Sequence, residues 1–242
     1  MLLFVVPAYN EEANIEALIR ETHEFLSARD LKYRLIVVDD GSRDRTAQIV
    51  GECAKKYPCE VVGYQPNRGV GEAFRRGLNR ALELAGADDL IVTKEADRTS
   101  DMAILPDLLR KIETGCDVAL ASCYAKGGGI EGTTWFRLLC SRCANAMIYT
   151  AFHIRGVHTY SSFYRVYRPL ALRKVLDKYG DYFSEPGFAC VIELLVRLAK
   201  TGAGIEEVPM LLVSGRRIGK SKMKVIRTIF GYFRVISRNF LR

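Results

Sequence analysis

No run of about 18 or more apolar residues occurs in the 242-residue chain, so no membrane-spanning helix is expected. No basic leader with a small-residue cleavage site precedes the first apolar run, Leu2 to Val6, which therefore reads as a strand and not as a signal peptide. A second cysteine pair is missing too. Of the seven cysteines only Cys140 and Cys143 have the CxxC spacing, which leaves a zinc set incomplete. The odd total favours reduced, cytoplasmic thiols over a disulfide framework. There is no internal repeat, low-complexity segment or linker. Acids are absent from one whole stretch, which carries Arg216, Arg217, Lys220, Lys222, Lys224, Arg227, Arg234, Arg238 and Arg242 with no Asp or Glu among them.

The bulk composition is that of a globular protein, with 49% hydrophobic and 26% charged residues and a net charge of +8. The length suits one large domain or two small ones. Most acids lie in residues 1–120, so the basic block stands apart. Such a block suits nucleic acid, a phosphate ligand or an anionic membrane surface. It lacks any nucleic-acid-binding motif, and no nucleic-acid partner is expected.

Apolar runs of strand length at 2–6, 34–38, 60–64, 90–93 and 118–121 alternate with helical patterns over 11–28, 44–56, 72–85 and 101–113. Asn10 is placed to cap the first helix, Ser42 or Asp44 the second, and Ser100 or Asp101 the fourth. This alternation predicts an α/β fold with a mostly parallel sheet covered on both faces. Right-handed crossovers then bring the ends of strands one, two and four to a common edge. Further on, Gly127 to Gly129 reads as a mobile loop. Residues 134–153 and 188–200 read as helices, 205–213 as a strand, and 223–241 as a basic amphipathic helix. Between them, 158–168 is dense in aromatic and hydroxyl residues.

Chemistry gathers at the predicted edge. Glu95 and Asp97 follow the fourth strand and are two residues apart, which on an extended chain points both to one side. Two hard oxygen donors there suit Mg²⁺ or Mn²⁺ that also holds a diphosphate. Tyr9 and Glu11 follow the first strand and offer stacking and hydrogen bonds. Asp39 and Asp40 follow the second and can accept from a base N–H or a ribose hydroxyl. Each segment alone also reads as an ordinary polar turn. Together they match the order base, sugar, metal-bound diphosphate of a nucleotide-sugar.

The stretches Val5-Val6-Pro7-Ala8-Tyr9-Asn10-Glu11-Glu12, Val37-Val38-Asp39-Asp40-Gly41-Ser42, Asn67-Arg68-Gly69-Val70-Gly71 and Glu95-Ala96-Asp97 resemble, in order, those of the family 2 glycosyltransferases of the GT-A fold. Gly127 to Glu131, Arg137, Ser141 to Asn145, Ser161 to Arg168, and Val208-Pro209 with Arg216 and Gly219 to Lys222 are most similar to dolichyl- or polyprenyl-phosphate mannose and glucose synthases. The resemblance implies a Rossmann-like GT-A domain over 1–222, with a nucleotide-binding half (1–121) and an acceptor half (122–222), and a C-terminal helix over 223–242. It implies that Pro7, Ala8, Tyr9, Glu11, Val38, Asp39, Asp40, Gly69 and Ala96 hold the nucleotide, and that Glu95, Asp97 and Thr99 hold the metal. It assigns Asp97, Arg137 and Arg216 to catalysis, the two arginines on the acceptor phosphate or donor diphosphate. The chain departs from the family pattern at Glu95 (usually Asp), Thr99 (commonly Gln), Cys123 (where an Arg is usual) and His158 (usually Asp).

The expected function is transfer of a mannose- or glucose-type sugar, with inversion, from a GDP- or UDP-linked donor to a polyprenyl phosphate. The expected place is the cytoplasmic face of a membrane, where the protein is peripheral, on an anionic surface or beside an anchoring partner. An anionic acceptor phosphate needs little help from a base, whereas a hydroxyl acceptor requires one, and no spare carboxylate stands out in the sequence. The alternatives are a non-lipid acceptor and a catalytically weakened nucleotide-binding protein.

Overall fold

Strand β1 (Leu2–Ala8) is followed by α1 (Ile15–Ser27), β2 (Tyr33–Asp39), α2 (Thr46–Cys53), β3 (Cys59–Gly63), α3 (Val70–Leu84) and β4 (Leu90–Thr93). A short 3-10 helix (Met102–Ile104) leads into α4 (Leu105–Glu113), then come β5 (Val118–Ser122), β6 (Gly129–Glu131), α5 (Trp135–Phe152) and β7 (Arg165–Tyr167). The chain continues with α6 (Pro169–Tyr179), α7 (Cys190–Lys200), β8 (Ile205–Pro209), β9 (Leu211–Val213), a 3-10 turn (Ser214–Arg216) and α8 (Val225–Phe240). This computed structural model describes residues 1–219, 222–223 and 225–240, without the side chains of residues 225, 226 and 240. The expectations touching Lys220, Ser221, Lys224, Leu241 and Arg242 lie outside the described residues.

Seven strands form one sheet in the order β3-β2-β1-β4-β7-β5-β8. Neighbours are parallel except at β7, which runs antiparallel to both β4 and β5. Strands β1 and β2 carry continuous apolar runs that bury both faces, as a parallel strand between two helical layers requires. Leu3, Val5, Ile36 and Val38 face α3 and the later helices, while Phe4, Val6, Leu35 and Val37 face α1, α2 and α4. Helix α3 lies directly on β1, because a Cβ at Gly77 would stand 2.3 Å from Val5 Cγ1.

Several expectations are corrected. Helix α1 starts at Ile15 and not at residue 11, since Asn10 adopts a left-handed φ of 52°. Asn10 therefore caps nothing; its Oδ1 accepts from Arg43 N at 2.9 Å and its N–H donates to Ser42 Oγ at 2.9 Å. Asp44 and Asp101 do not cap α2 and α4, which begin after Arg45 and Ile104 without a side-chain cap. Asp44 accepts from Thr46 N at 3.0 Å in the turn before α2, and Asp101 caps the 3-10 helix that precedes α4, accepting from Ala103 N at 2.9 Å. The strand foreseen at 205–213 is two strands, the second of which pairs with β6 in a small sheet of its own. Gly128, in the loop expected to move, is packed: a Cβ there would lie 2.5 Å from the Ser122 carbonyl oxygen. The aromatic segment conceals β7, whose fully buried Arg165 donates to the carbonyls of Val191 and Tyr160, both at 2.8 Å.

Candidate active site

Parallel strands present their carboxyl ends to one edge, and β1, β2 and β4 are adjacent there. Beyond β1, Glu11 is buried, 8% exposed. Its N–H donates to Thr46 Oγ1 at 2.8 Å, and its carboxylate accepts from Asn14 Nδ2 at 2.8 Å and from Lys222 Nζ at 2.5 Å. Pro7 and Tyr9 are half-buried, and Ala8 is buried, its carbonyl accepting from Asp40 N at 2.9 Å.

Asp39 and Asp40, alike in sequence, differ in use. Asp39 Oδ1 accepts from Ser42 N at 3.2 Å, and its other oxygen has no partner among the described residues. The glycine facing it across the β2–β3 pair, Gly63, leaves that space open. Asp40 is committed to the loop after β3. Its Oδ1 accepts from Tyr64 Oη at 2.8 Å, Arg68 N at 2.8 Å and Gly69 N at 3.1 Å, and its Oδ2 from Asn67 Nδ2 at 2.8 Å. It holds the loop in place, and both its oxygens are occupied in doing so. Gly69 has a φ of 95°, a conformation that favours glycine, and it leads into α3. Val38 is buried in the core cluster beneath α3 and presents no polar group to the edge.

Strand β4 ends at Thr93, so Glu95 and Asp97 sit in a turn and not on extended chain. That turn is tied internally. Lys94 is buried and donates to the Ser100 carbonyl at 2.7 Å, while Ser100 Oγ donates to Glu95 Oε2 at 2.8 Å. Thr99 N and Oγ1 donate to Asp97 Oδ1 at 3.1 and 2.7 Å. Thr99 thus orients Asp97, with its hydroxyl proton engaged. Burial, then the charge of Asp97, push the Glu95 carboxyl above its ordinary range, against the opposing pull of Lys94. Burial pushes Lys94 down. The charge of Asp97 acts on Glu95, and a cation beside the two would relieve that repulsion. No cluster of three or more His, Cys, Asp or Glu suited to a metal forms among the described residues, so protein ligands to any ion would be few.

The sequence reading missed a cation that pairs with Asp97. Arg217 donates through Nε at 2.7 Å, and through Nη2, to Asp97 Oδ2. Arg216, the expected partner of phosphate, pairs with Asp101 Oδ2 at 2.9 Å. The two arginines are indistinguishable by type; the 3-10 turn ending at Arg216 decides which one faces the site. The next residue is clamped: Ile218 N donates to Asn14 Oδ1 and Asn14 Nδ2 donates to the Ile218 carbonyl, both at 3.0 Å.

On the acceptor side, Thr159 Oγ1 bonds Ser122 Oγ at 2.7 Å and accepts from Tyr124 N at 3.1 Å. Burial raises the Cys123 thiol, against its hydrogen bond with Thr159, and the charges of Glu207 and Glu95 add to the rise. Glu207 accepts from the backbone N–H groups of His158 and Thr159, both at 2.7 Å, and lies 2.9 Å from His158 Nδ1. Arg137 is exposed in the first turn of α5. All seven cysteines are free thiols, Cys140 half-buried and Cys143 exposed on α5.

Residues 3–180 match the family model described as glycosyl transferase family 2. Over 97% of its length the chain is 33% identical to a dolichol-phosphate mannosyltransferase of Pyrococcus furiosus, of which it spans 62%, less than two thirds. It is 30% identical over 91% of its length to a polyprenol monophosphomannose synthase of Mycolicibacterium smegmatis, of which it spans 80%. Its fold resembles that of a glucosyl-3-phosphoglycerate synthase of Mycobacterium tuberculosis, solved in complex with Mn²⁺, uridine diphosphate and phosphoglyceric acid. There the TM-score is 0.70 at 20% identity, covering 98% of this chain and 76% of the other. The expected GT-A-type α/β architecture with a C-terminal helix is therefore borne out. With a family model matching most of its length and a curated relative at 30% identity, the chain belongs to glycosyl transferase family 2.

Proposed function

We propose that this protein transfers a mannose- or glucose-type sugar, with inversion, from a GDP- or UDP-linked donor to a polyprenyl or dolichyl phosphate at a membrane surface. The observation that carries the reading is the Glu95–Asp97 pair, joined through Arg217 and the Ile218–Asn14 clamp to Glu11 on the neighbouring strand end. The names of the two curated relatives support the acceptor.

Glu95 and Asp97 fit a hard divalent ion that keeps most of its coordination for phosphate oxygens and water. Such an ion, Mg²⁺ or Mn²⁺, supplies positive charge to the diphosphate leaving group. The protein's own part is positioning. The free oxygen of Asp39 accepts from a base or ribose donor, and Tyr9 offers its ring to the base. Asp40 and Gly69 shape the loop that closes over the nucleotide. Arg137, near the start of α5, holds the acceptor phosphate. That phosphate is already anionic, so it attacks without losing a proton first, from the face opposite the diphosphate.

The lipid side rests on two helices that pack together, α5 and α8. Trp135, Phe136 and Leu139 are exposed at the start of α5, and Phe230 and Phe233 are 60% and 54% exposed on α8. A purely solvated basic face would not carry these rings, whereas an interfacial helix does. No helix among the described residues is long and apolar enough to cross a membrane.

The test is incubation with radiolabelled GDP- and UDP-sugars, Mg²⁺ or Mn²⁺, and vesicles containing polyprenyl phosphate. Label extracted into the organic phase is the expected result, and label confined to the aqueous phase overturns the lipid acceptor. A second reading, a hydroxyl acceptor, is favoured by His158, which is exposed and has Nδ1 held by Glu207. That arrangement leaves Nε2 free to take a proton. Under that reading the aqueous product appears, and His158→Gln lowers its rate of formation.

A further inference from the structure

We propose that Arg217 is a resident counter-ion of Asp97, which it must yield to a divalent cation, and that the released guanidinium then binds the donor diphosphate. This rests on the reading of Glu95 and Asp97 as the metal pair.

A carboxylate offers about four acceptor positions. Asp97, 9% exposed, has all of them filled: Thr99 N and Oγ1 on Oδ1, and Arg217 Nε and Nη2 on Oδ2. A cation cannot reach Asp97 in this arrangement unless one partner leaves. Thr99 is two residues from Asp97 and its amide is part of the turn itself, so its release would unmake the loop. Arg217 comes from a distant segment and is attached at this end only by its side chain. It is the exchangeable partner.

What remains behind when it leaves is also visible. Ile218 stays locked to Asn14 by its paired backbone hydrogen bonds. Lys222, further along, donates to Glu11 and to the Asn10 carbonyl at 2.6 Å. The backbone beside Arg217 is thus fixed on the nucleotide side of the site. The guanidinium can swing from Asp97 without the segment departing, and its two-pronged donor set matches a phosphate as well as a carboxylate. A cation on Asp97 and a diphosphate on Arg217 therefore assist each other. A cation without the diphosphate strands Arg217 with no anion.

The experiment measures Mn²⁺ binding to the full chain by electron paramagnetic resonance of the free ion, with and without GDP or UDP. Arg217→Gln removes the competitor. It is expected to bind Mn²⁺ alone about tenfold more tightly, equivalent to about 1.4 kcal/mol, as loss of a charge-assisted bidentate pair allows. The same variant gains less than wild type when nucleotide is added. Arg217→Lys, which keeps charge without the fork, falls between the two. Circular dichroism and melting confirm that the variants are folded. Asp97→Asn separates the two levels of the reading. If it binds Mn²⁺ like wild type, the metal pair is wrong. If it abolishes binding while Arg217→Gln leaves Mn²⁺ affinity unchanged or weaker, the metal pair stands and the counter-ion proposal falls.

Discussion

Asp40 provides a sharp test of loop positioning against ligand contact. In sequence it stands beside Asp39 as a nucleotide-binding carboxylate; in the structure four donors from residues 64–69 occupy it. Asp40→Asn keeps one oxygen for Tyr64, Arg68 and Gly69 but removes the charge, and it sets an NH₂ group against Asn67 Nδ2. Hydrogen bonds to a charged acceptor contribute about 1.5–3 kcal/mol each against about 0.5–1.5 for neutral ones. Three bonds therefore weaken by about 1 kcal/mol apiece, less what water recovers at this largely exposed loop, for a net loss of about 2–3 kcal/mol. For a chain of this size that lowers the melting temperature by roughly 4–12 °C. Thermal unfolding without ligand is the first assay, and hydrogen exchange at the Arg68 and Gly69 amides is the second; both should show the loss before any nucleotide is added. A variant that melts with wild type, keeps both amides protected and yet binds GDP or UDP more weakly would refute the reasoning and return Asp40 to direct ligand contact.

Glu185 is 1% exposed and takes two hydrogen bonds from Arg234 of α8, at 2.9 and 2.5 Å. Arg234→Met should therefore cost more than Glu185→Gln in urea unfolding, by roughly 2 kcal/mol or more, because it strands a buried charge; equal losses would contradict this. Burial raises the thiols of Cys59 and Cys116 from 9.0 to about 11. A folded value above the unfolded one gives stability that is complete below pH 9 and is lost as pH rises from 9 to 11. The urea midpoint should fall over that interval, and the fall should be shallower in Cys116→Ala, by up to about 2–3 kcal/mol; an identical fall in both proteins would count against it. Phe230→Glu with Phe233→Glu should reduce flotation with anionic vesicles several-fold and leave the melting temperature within about 2 °C, since both rings are exposed; undiminished flotation would remove α8 from the membrane face.

Local chemistry explains what was legible in the sequence. Strands β1, β2 and β4 could be read because burial on both faces demands continuous apolar runs, and the polar turns at Asp44 and Asp101 because their side chains bond a backbone N–H two residues on, although neither caps the α-helix foreseen for it. Strand β7 could not. It has three residues, one of them Arg165, and it exists only because β4 and β5 leave a gap whose far side lies about 70 residues earlier in the chain. Helix α6 was missed despite local signals, with Pro169 in its first turn and Gly180 in the left-handed conformation after its end. In the site, strand ends located Glu11, Asp39 and Asp97. The division of labour between Asp39 and Asp40, and between Arg216 and Arg217, was hidden because each pair is chemically uniform. Only the loop or turn that each residue meets distinguishes them.

That last point changes the meaning of the basic C-terminal block. Read alone, it is a patch of uncompensated charge seeking an external anion. In the fold, Arg216 pairs with Asp101, Arg217 with Asp97, Lys222 with Glu11 and Arg234 with Glu185. Acids of residues 1–121 account for three of the four. The block is thus first an internal neutraliser of carboxylates crowded onto one sheet edge, and Arg227 and Arg238 are left without ion pairs among the described residues. Among the described residues of the block, attraction to an anionic surface then has few unpaired charges to draw on, and under the proposed membrane reading the exposed rings of α5 and α8 carry the binding. Long-range charge is screened at physiological ionic strength within about 8 Å, so such binding should weaken little between 0.1 and 0.5 M salt in a vesicle flotation assay. A steep loss over that range would mean that the internal pairs open at the membrane and that the block acts as the sequence alone suggested.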